Sequence, residues 1–362
     1  MPTSPQEVRR QHYIPKMLLK RFASRTRKKN SLVWCFSKSK EPFEPNINNV
    51  AVSAWFYGKE GDIENFLSNM ENRASLAIDA ILHHGDDPNN HLDSIIPFLW
   101  LMHWRTLSLR EAGVVSGSLF MESMGQTMFG QTNNALMERL LLLELETNLD
   151  SYLKDFPQTH HSTIKALLSN PETKTKMIAF LRDHAIPVMG QHWAGVCDRM
   201  PEQLKDSISQ SMNGAVREMI NSGKTHPDNF VPSRLRIQRD ASNSFILGDS
   251  CIFCSDADGK VFGVSRAREK DWSEIYLPIS DSCVLIAERG DTNAKHSFST
   301  QEINELSAKM STECIFASDR KHLPLSNFIG QMSLLMDATE VNELSENTLR
   351  DLLNERLEKI RR

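Results

Sequence analysis

Asp62-Ile63-Glu64-Asn65-Phe66-Leu67-Ser68-Asn69-Met70-Glu71-Asn72-Arg73-Ala74-Ser75-Leu76-Ala77-Ile78-Asp79-Ala80-Ile81 decides the fold class of this chain. Ile63, Leu67, Met70, Ala74, Ala77, Ile78 and Ile81 recur at steps of three and four, the period of a helix with one apolar face. Gly85 follows as a stop. On the C-terminal side the helical pattern continues. A second helix is expected from near Asn90 past Arg110, with Pro97 as a bend. More helix is expected over residues 134–156, 161–170, 172–185 and 201–221. Residues 113–133, rich in Gly, Ser, Met and Gln, read either as a flexible connection or as a partly helical lid.

After Pro232 the character changes. Residues 245–247, 251–254, 260–264, 274–277 and 283–286 are short strand-like runs. Asp256-Ala257-Asp258-Gly259 is a hairpin signal between two of them. Ser299-Thr300-Gln301-Glu302 is a capping box that opens a helix through Met310. From Ser345 onward Leu349, Leu352, Leu353, Leu357 and Ile360 share one helical face. On the N-terminal side Ser31–Phe36 reads as a strand, and residues 41–61 as loop with short extended pieces. Helices and strands are thus segregated along the chain, which argues for α+β and against alternating α/β. The expected architecture is a mostly helical middle region packed against a small, largely antiparallel β-rich unit. The segments are a basic N-terminal part (1–61), a helical region (62–230) and a β-rich unit with closing helices (231–362), integrated into one domain.

With 40% hydrophobic and 24% charged residues over 362 positions, the composition is that of a soluble globular protein. The longest apolar run, residues 95–102, is far short of the roughly 20 residues that span a bilayer. No membrane association is expected, and the lack of an apolar signal core makes a cytoplasmic location the default. The six cysteines are dispersed, which favours free thiols. The net charge of −4 conceals an asymmetry, +8 over residues 1–30 against −12 over the rest. Such a basic head is suited to phosphates, or to the protein's own acidic surface.

No Walker A loop, dinucleotide-binding glycine motif or nucleophile elbow is present. Cys251-x-x-Cys254 has no second pair, so buried sheet thiols are the simpler reading. His83, His84, His91, His160 and His161 lack metalloprotease spacing and read as surface or capping histidines. Glu64 and Glu71 lie seven residues apart, hence on one helical face and roughly 10 Å from each other. They border the apolar stripe, where carboxylates either ligate a cation, act as acid or base, or pair with arginine. Arg105 follows the most apolar run and needs a carboxylate partner, for which Glu64 or Glu71 qualifies. That pairing is either a buried ion pair or part of an anion site.

Gln11-His12-Tyr13-Ile14-Pro15-Lys16-Met17-Leu18-Leu19-Lys20-Arg21-Phe22 carries a histidine, an aromatic residue and a proline directly ahead of a short basic helix. Pro15 biases Ile14 to an extended conformation, so His12 and Tyr13 are expected as an ordered lead-in. Together with Glu64, Glu71, Arg105-Thr106 and the later Leu277-Pro278-Ile279-Ser280, this segment resembles the family called domain of unknown function 4238 (DUF4238). The resemblance covers roughly residues 9–320. The turn at Gly248-Asp249-Ser250-Cys251 matches in part, since Gly248 and Cys251 stand where the family has serine and proline.

The resemblance picks out His12, Glu64, Glu71, Arg105 and Asp249, and implies a shared cleft. One reading is a hydrolase acting on nucleic acid or another phosphoester. In it His12 is base or metal ligand, Glu64, Glu71 and Asp249 are acids or metal ligands, and Arg105 is the partner of the anion. Tyr13, Lys16 and Arg21 would bind the substrate. The cofactor is open, and a divalent metal is compatible with this set. The alternative is a non-catalytic protein that binds nucleic acid or a phosphorylated ligand, with the polar cluster serving the fold.

Overall fold

A computed structural model describes residues 10–28, 30–130, 134–264, 266, 272–290, 297–332, 334–336 and 338–361. Arg9 and Lys29 of the basic head lie outside them. The chain opens with strand β1 (Arg10–His12) and helix α1 (Lys16–Arg21), then strands β2 (Arg25–Arg27), β3 (Asn30–Leu32), β4 (Trp34–Ser37), β5 (Lys40–Phe43) and β6 (Val52–Ala54). Helices follow: α2 (Asp62–Asp79), α3 (Leu92–Trp104), α4 (Leu107–Phe129), α5 (Asn134–Tyr152), α6 (Gln158–Ser169), α7 (Pro171–Phe180), α8 (Ile186–Cys197) and α9 (Met200–Ser222). The last part holds β7 (Arg234–Arg239), β8 (Leu247–Gly248), β9 (Phe253–Ser255), β10 (Val261–Phe262), β11 (Glu274–Ser280), β12 (Cys283–Glu288), α10 (Thr300–Met310), β13 (Cys314–Ala317) and α11 (Ala338–Arg361). This is an α+β arrangement with small antiparallel sheets.

Two compact units emerge, one formed by residues up to 113 and 205–335, the other by 114–204 and the chain from 336 on. In the first unit a five-stranded antiparallel sheet has the order β10-β9-β11-β12-β7, and a four-stranded one the order β5-β4-β13-β8. Every residue of β11 and β12 is buried. A sheet covered on both faces selects continuous apolar runs, which is why these two strands were readable. α1 packs on β11 and α10 on β8 and β9. Edge strand β7 is invisible as an apolar run, because its side chains alternate with four polar residues, Arg234, Arg236, Gln238 and Arg239. Arg236 instead bridges the buried carboxylates of Glu274 and Glu288.

α2 buries Ile63, Leu67, Met70, Ala74, Ala77 and Ile78 against the core, each of the larger side chains contributing about 1.5–3 kcal/mol. Asp62 and Glu64 in its first turn complement the helix dipole. A π turn over Ala80–His84 ends it, and Gly85 takes the left-handed conformation (φ 73°) that the stop requires. α3 is buried without interruption from Ile95 to His103, and the chain breaks at Arg105 and Thr106 before α4 begins.

The second unit is helical. The stretch read as a connection or lid at 113–133 belongs largely to the unbroken α4. Its glycines serve close packing. A Cβ at Gly117 would sit 2.9 Å from the Leu204 side chain, and one at Gly125 would collide with the Trp193 indole. α8 is an additional helix; Pro187 in its first turn obscured it in the sequence but is well placed there. The hydroxyls of Ser123 and Ser345, 2.6 Å apart and buried, tie α4 to α11. Among the described residues no helix is long and apolar enough to cross a membrane.

Candidate functional site

β1 pairs antiparallel with β6, placing His12 opposite Val52. The amide of Tyr13 then donates to the Ala51 carbonyl at 2.9 Å. Pro15, with ψ 132°, turns the chain into α1, and its carbonyl accepts from Leu18 and Leu19. The lead-in is therefore an ordered edge of the first unit. Gln11 locks it further, donating to the Gly58 carbonyl at 3.0 Å and accepting from the Tyr57 amide at 2.7 Å.

The structure gathers His12, Glu64, Glu71 and Arg105 around this edge. Arg105 is 2% exposed. Its guanidinium forms an ion pair with Glu71 and donates to the backbone carbonyl of His12 at 2.8 Å. Burial works against its charge, but the Glu71 carboxylate and Tyr57 outweigh it, so its pKa stands above the ordinary arginine value. Tyr57 donates to the same His12 carbonyl at 3.2 Å. The His12 ring Nε2 lies 3.2 Å from the Ile47 carbonyl. A carbonyl only accepts, so Nε2 carries the hydrogen and Nδ1 is the unprotonated nitrogen. Burial pushes this imidazole down to about 4, so it is neutral near pH 7.

Glu64 differs from its neighbours. Its Oε2 is buried without a hydrogen-bond partner among the described residues, as is the Nε of Arg105. Burial pushes the Glu64 carboxyl upward and Glu71 adds to this, while Arg105 and Lys16 oppose it. Lys16 stands exposed at the start of α1. Tyr13 is buried against Phe56, ring centroids 5.5 Å apart, and burial pushes its phenol upward.

Asp249 bonds to none of these four. Its Oδ1 accepts from the Ser108 hydroxyl and from the Thr312 amide at 2.8 Å. Its Oδ2 accepts from the amides of Glu313 at 2.7 Å and Cys314 at 2.9 Å. Burial pushes its carboxyl upward against those four donors. Its amide donates to the Cys314 carbonyl and the Ser311 hydroxyl. All of its acceptor capacity thus goes to joining the turn at 248–251 to α4 and to the segment entering β13. The glycine before it is required by space, since a Cβ at Gly248 would lie 2.6 Å from the Ser307 carbonyl oxygen.

Arg21 sits at the other end of α1 and belongs to a different constellation. It donates to the Met17 carbonyl, to Ser75 and to Asp79, the last at 2.7 Å. With Lys20, His83, Arg239, Ser280 and Ser282 it borders a cleft of about 580 Å³. Among the described residues the Arg239 guanidinium donates to the Cys283 sulfur and the Ile81 carbonyl. Neither Lys20 nor Arg239 has a carboxylate at ion-pair distance among the described residues, whereas Arg21 is balanced by Asp79. The other acid on the rim is Asp281, whose carboxyl burial pushes upward. The Ser75 hydroxyl accepts from Arg21 at 3.1 Å and keeps its own hydrogen to donate. Of this cleft only Arg21 was a site candidate from sequence. Arg239 and the two hairpin serines carry no local signature, because they reach the cleft through sheet pairing.

No group of three or more His, Cys, Asp or Glu able to hold a metal ion forms among the described residues. The six cysteines are free.

Fold and site define an α+β protein with a buried polar tie at one end of α1 and a basic cleft at the other. The chain belongs to the DUF4238 family, a protein family of unknown function, whose model matches residues 10–321. No curated protein and no solved structure matches it.

Proposed function

We propose that the protein binds a phosphorylated ligand in the cleft between α1, the end of α2 and the β11–β12 hairpin. One observation carries this reading: Lys20 and Arg239 line the cleft with no carboxylate at ion-pair distance among the described residues. Two unneutralised cations beside serine hydroxyls form the donor set that a phosphate group takes up. His12, Glu71, Arg105 and Asp249 then serve the scaffold, since their bonds join separate segments of the first unit. Nucleic acid is the extended form of the same chemistry, and its binding would weaken steeply with salt. Calorimetric titration with inorganic phosphate and with a single-stranded oligonucleotide tests the reading. Arg239→Ala and Lys20→Ala are each expected to weaken binding about tenfold, a loss of about 1.4 kcal/mol. Equal affinity in wild type and both variants would remove the cleft from consideration.

A second reading, hydrolysis of a phosphoester, is favoured by Glu64 and His12. A neutral imidazole and a carboxyl that burial makes easier to protonate both feel the positive charges of Lys16 and Arg105. That is the separation of roles that acid–base catalysis uses. This version needs no shared metal. Its test is release of p-nitrophenol from p-nitrophenyl phosphate and bis(p-nitrophenyl) phosphate. Glu64→Gln should abolish turnover while phosphate binding at the cleft persists. Absence of turnover in wild type, or full turnover in Glu64→Gln, counts against it.

A further inference from the structure

The cations of the basic head divide by partner. Arg21 pairs with Asp79 and Arg25 with Glu44. Arg10, Lys16, Lys20, Arg27 and Lys28 have no carboxylate at ion-pair distance among the described residues. Docking on the protein's own acidic surface would consume these charges, and it leaves most of them open.

The ribbon formed by β2 and β3 brings several of them together. Its register sets Arg25 opposite Leu32, Thr26 opposite Ser31 and Arg27 opposite Asn30. Alternate side chains of a strand share a face. Ser31 is buried and its hydroxyl lies 3.2 Å from that of Thr26, so that face is turned to the protein. The other face carries Arg25, Arg27 and Asn30, all exposed. Glu44 holds the base of the ribbon through the Ser24 hydroxyl and the Arg25 guanidinium, and no carboxylate pairs with the tip among the described residues. Lys28, in the turn, takes a left-handed conformation (φ 57°) that favours glycine or asparagine. A lysine kept at a strained turn position points to a use for its charge.

Size and residue type define the partner. Two strands about 4.8 Å apart make a ribbon that the major groove of B-DNA, about 12 Å wide, admits. Arginine and asparagine are the side chains that form paired hydrogen bonds with base edges there, and Arg27 and Asn30 stand opposite each other on the outward face. A lipid surface is a poorer match, because the exposed residues of the ribbon, Arg25, Thr26, Arg27, Lys28 and Asn30, include no apolar anchor. Lys20 of the basic cleft precedes Arg27 by seven residues, so their backbones lie within about 25 Å of each other. That length covers about seven phosphates along one strand of a duplex. We propose that the protein binds duplex DNA, with the β2–β3 ribbon in the major groove, Arg27 and Asn30 toward the base edges, and Lys28 and Lys20 on the phosphate backbone. This rests on the phosphate reading of the basic cleft and names its extended ligand.

The test is fluorescence anisotropy of a labelled duplex of about 16 base pairs, titrated with the full chain over a series of salt concentrations. Wild type is expected to bind with an affinity that falls steeply with salt. The double variant Arg27→Ala/Lys28→Ala should bind at least about tenfold more weakly, with a slope of log affinity against log salt shallower by about 1–2. Arg27→Lys keeps the charge and loses the planar fork, so the slope should hold while affinity falls. The side chains of Arg27 and Lys28 are exposed and make no bond among the described residues, so the variants are expected to fold, and unchanged melting temperatures confirm it. Inorganic phosphate separates this inference from the reading beneath it, since the ribbon variants should leave phosphate binding unchanged while Arg239→Ala weakens it. No saturable duplex binding at about 100 μM protein, or equal duplex affinity in wild type and the double variant, overturns the proposal even where phosphate still binds the cleft. Absence of phosphate binding in wild type removes the cleft reading instead, and the double variant still decides the ribbon. An equal loss on a single strand of the same sequence, or binding to phosphatidylserine vesicles as tight as to the duplex, would overturn the placement in a major groove.

Discussion

Replacing Asp249 by asparagine separates a structural carboxylate from a chemical one. Asp249 accepts from the Ser108 hydroxyl and from three backbone amides, of Thr312, Glu313 and Cys314. Asparagine has one acceptor oxygen. Its best placement puts the NH2 toward Ser108, whose hydroxyl can turn to accept, and leaves the Thr312 amide facing a donor. That orphaned amide costs about 1–3 kcal/mol. The remaining bonds lose their charged acceptor, worth about 1 kcal/mol each on the difference between charged and neutral hydrogen bonds. Relief of the buried charge offsets part of this, so the net loss is about 3 kcal/mol. Asp249→Ala orphans three amides and should lose about 5 kcal/mol or more. Urea titration at pH 7 and 25 °C, monitored by far-ultraviolet circular dichroism, gives the stabilities. Phosphate binding per folded molecule should be unchanged in both variants. A loss below about 1 kcal/mol for Asp249→Asn would show that this carboxylate does not hold the turn, because four bonds to a buried carboxylate cannot be that weak.

Further outcomes follow from the same contacts. Arg105→Ala takes the guanidinium from the buried side of Glu71 and leaves the His12 carbonyl to Tyr57, and should destabilise by about 3–5 kcal/mol; a fall of less than about 1 kcal/mol in a denaturant titration would contradict its role as a tie. Glu111 is pushed up to about 7 by burial, with Glu313 and Asp249 adding to it and Lys205 opposing. Its folded pKa exceeds the ordinary 4.5, so the folded state holds a proton that the unfolded state has lost between those values. Stability from this group therefore falls as pH rises from about 4.5 to about 7 and is level above. Glu111→Gln should be more stable than wild type at pH 8, with the gap closing toward pH 4.5; a constant gap in melting temperature across that range would show that Glu111 does not titrate this way.

Elements with a local signal were legible from the residues alone. The period of Ile63 to Ile78 is a helix wherever it is buried, and the capping box at Ser299 forms both of its reciprocal bonds. Gly85 and the hairpin at Asp256–Gly259 are set by backbone geometry within a few residues, and β11 and β12 by their unbroken apolar runs. Pairing of Arg105 with a glutamate of α2 was also foreseeable, because a buried guanidinium demands a carboxylate and two stood on one face; packing chose Glu71 and left Glu64 with an unpaired oxygen. The meetings that build the site are long-range and came from packing. Register against β6 made the His12 segment an edge of the first unit and gave its ring to a backbone carbonyl. The approach of residues 311–314 to Asp249 consumed a carboxylate that sequence left free for chemistry. The β11–β12 hairpin brought Ser280 and Ser282 beside Lys20, with Arg239 supplied by the neighbouring strand β7. None of these meetings leaves a trace in spacing, because the energy that fixes them comes from surfaces separated by up to hundreds of residues and closed only when the core packs.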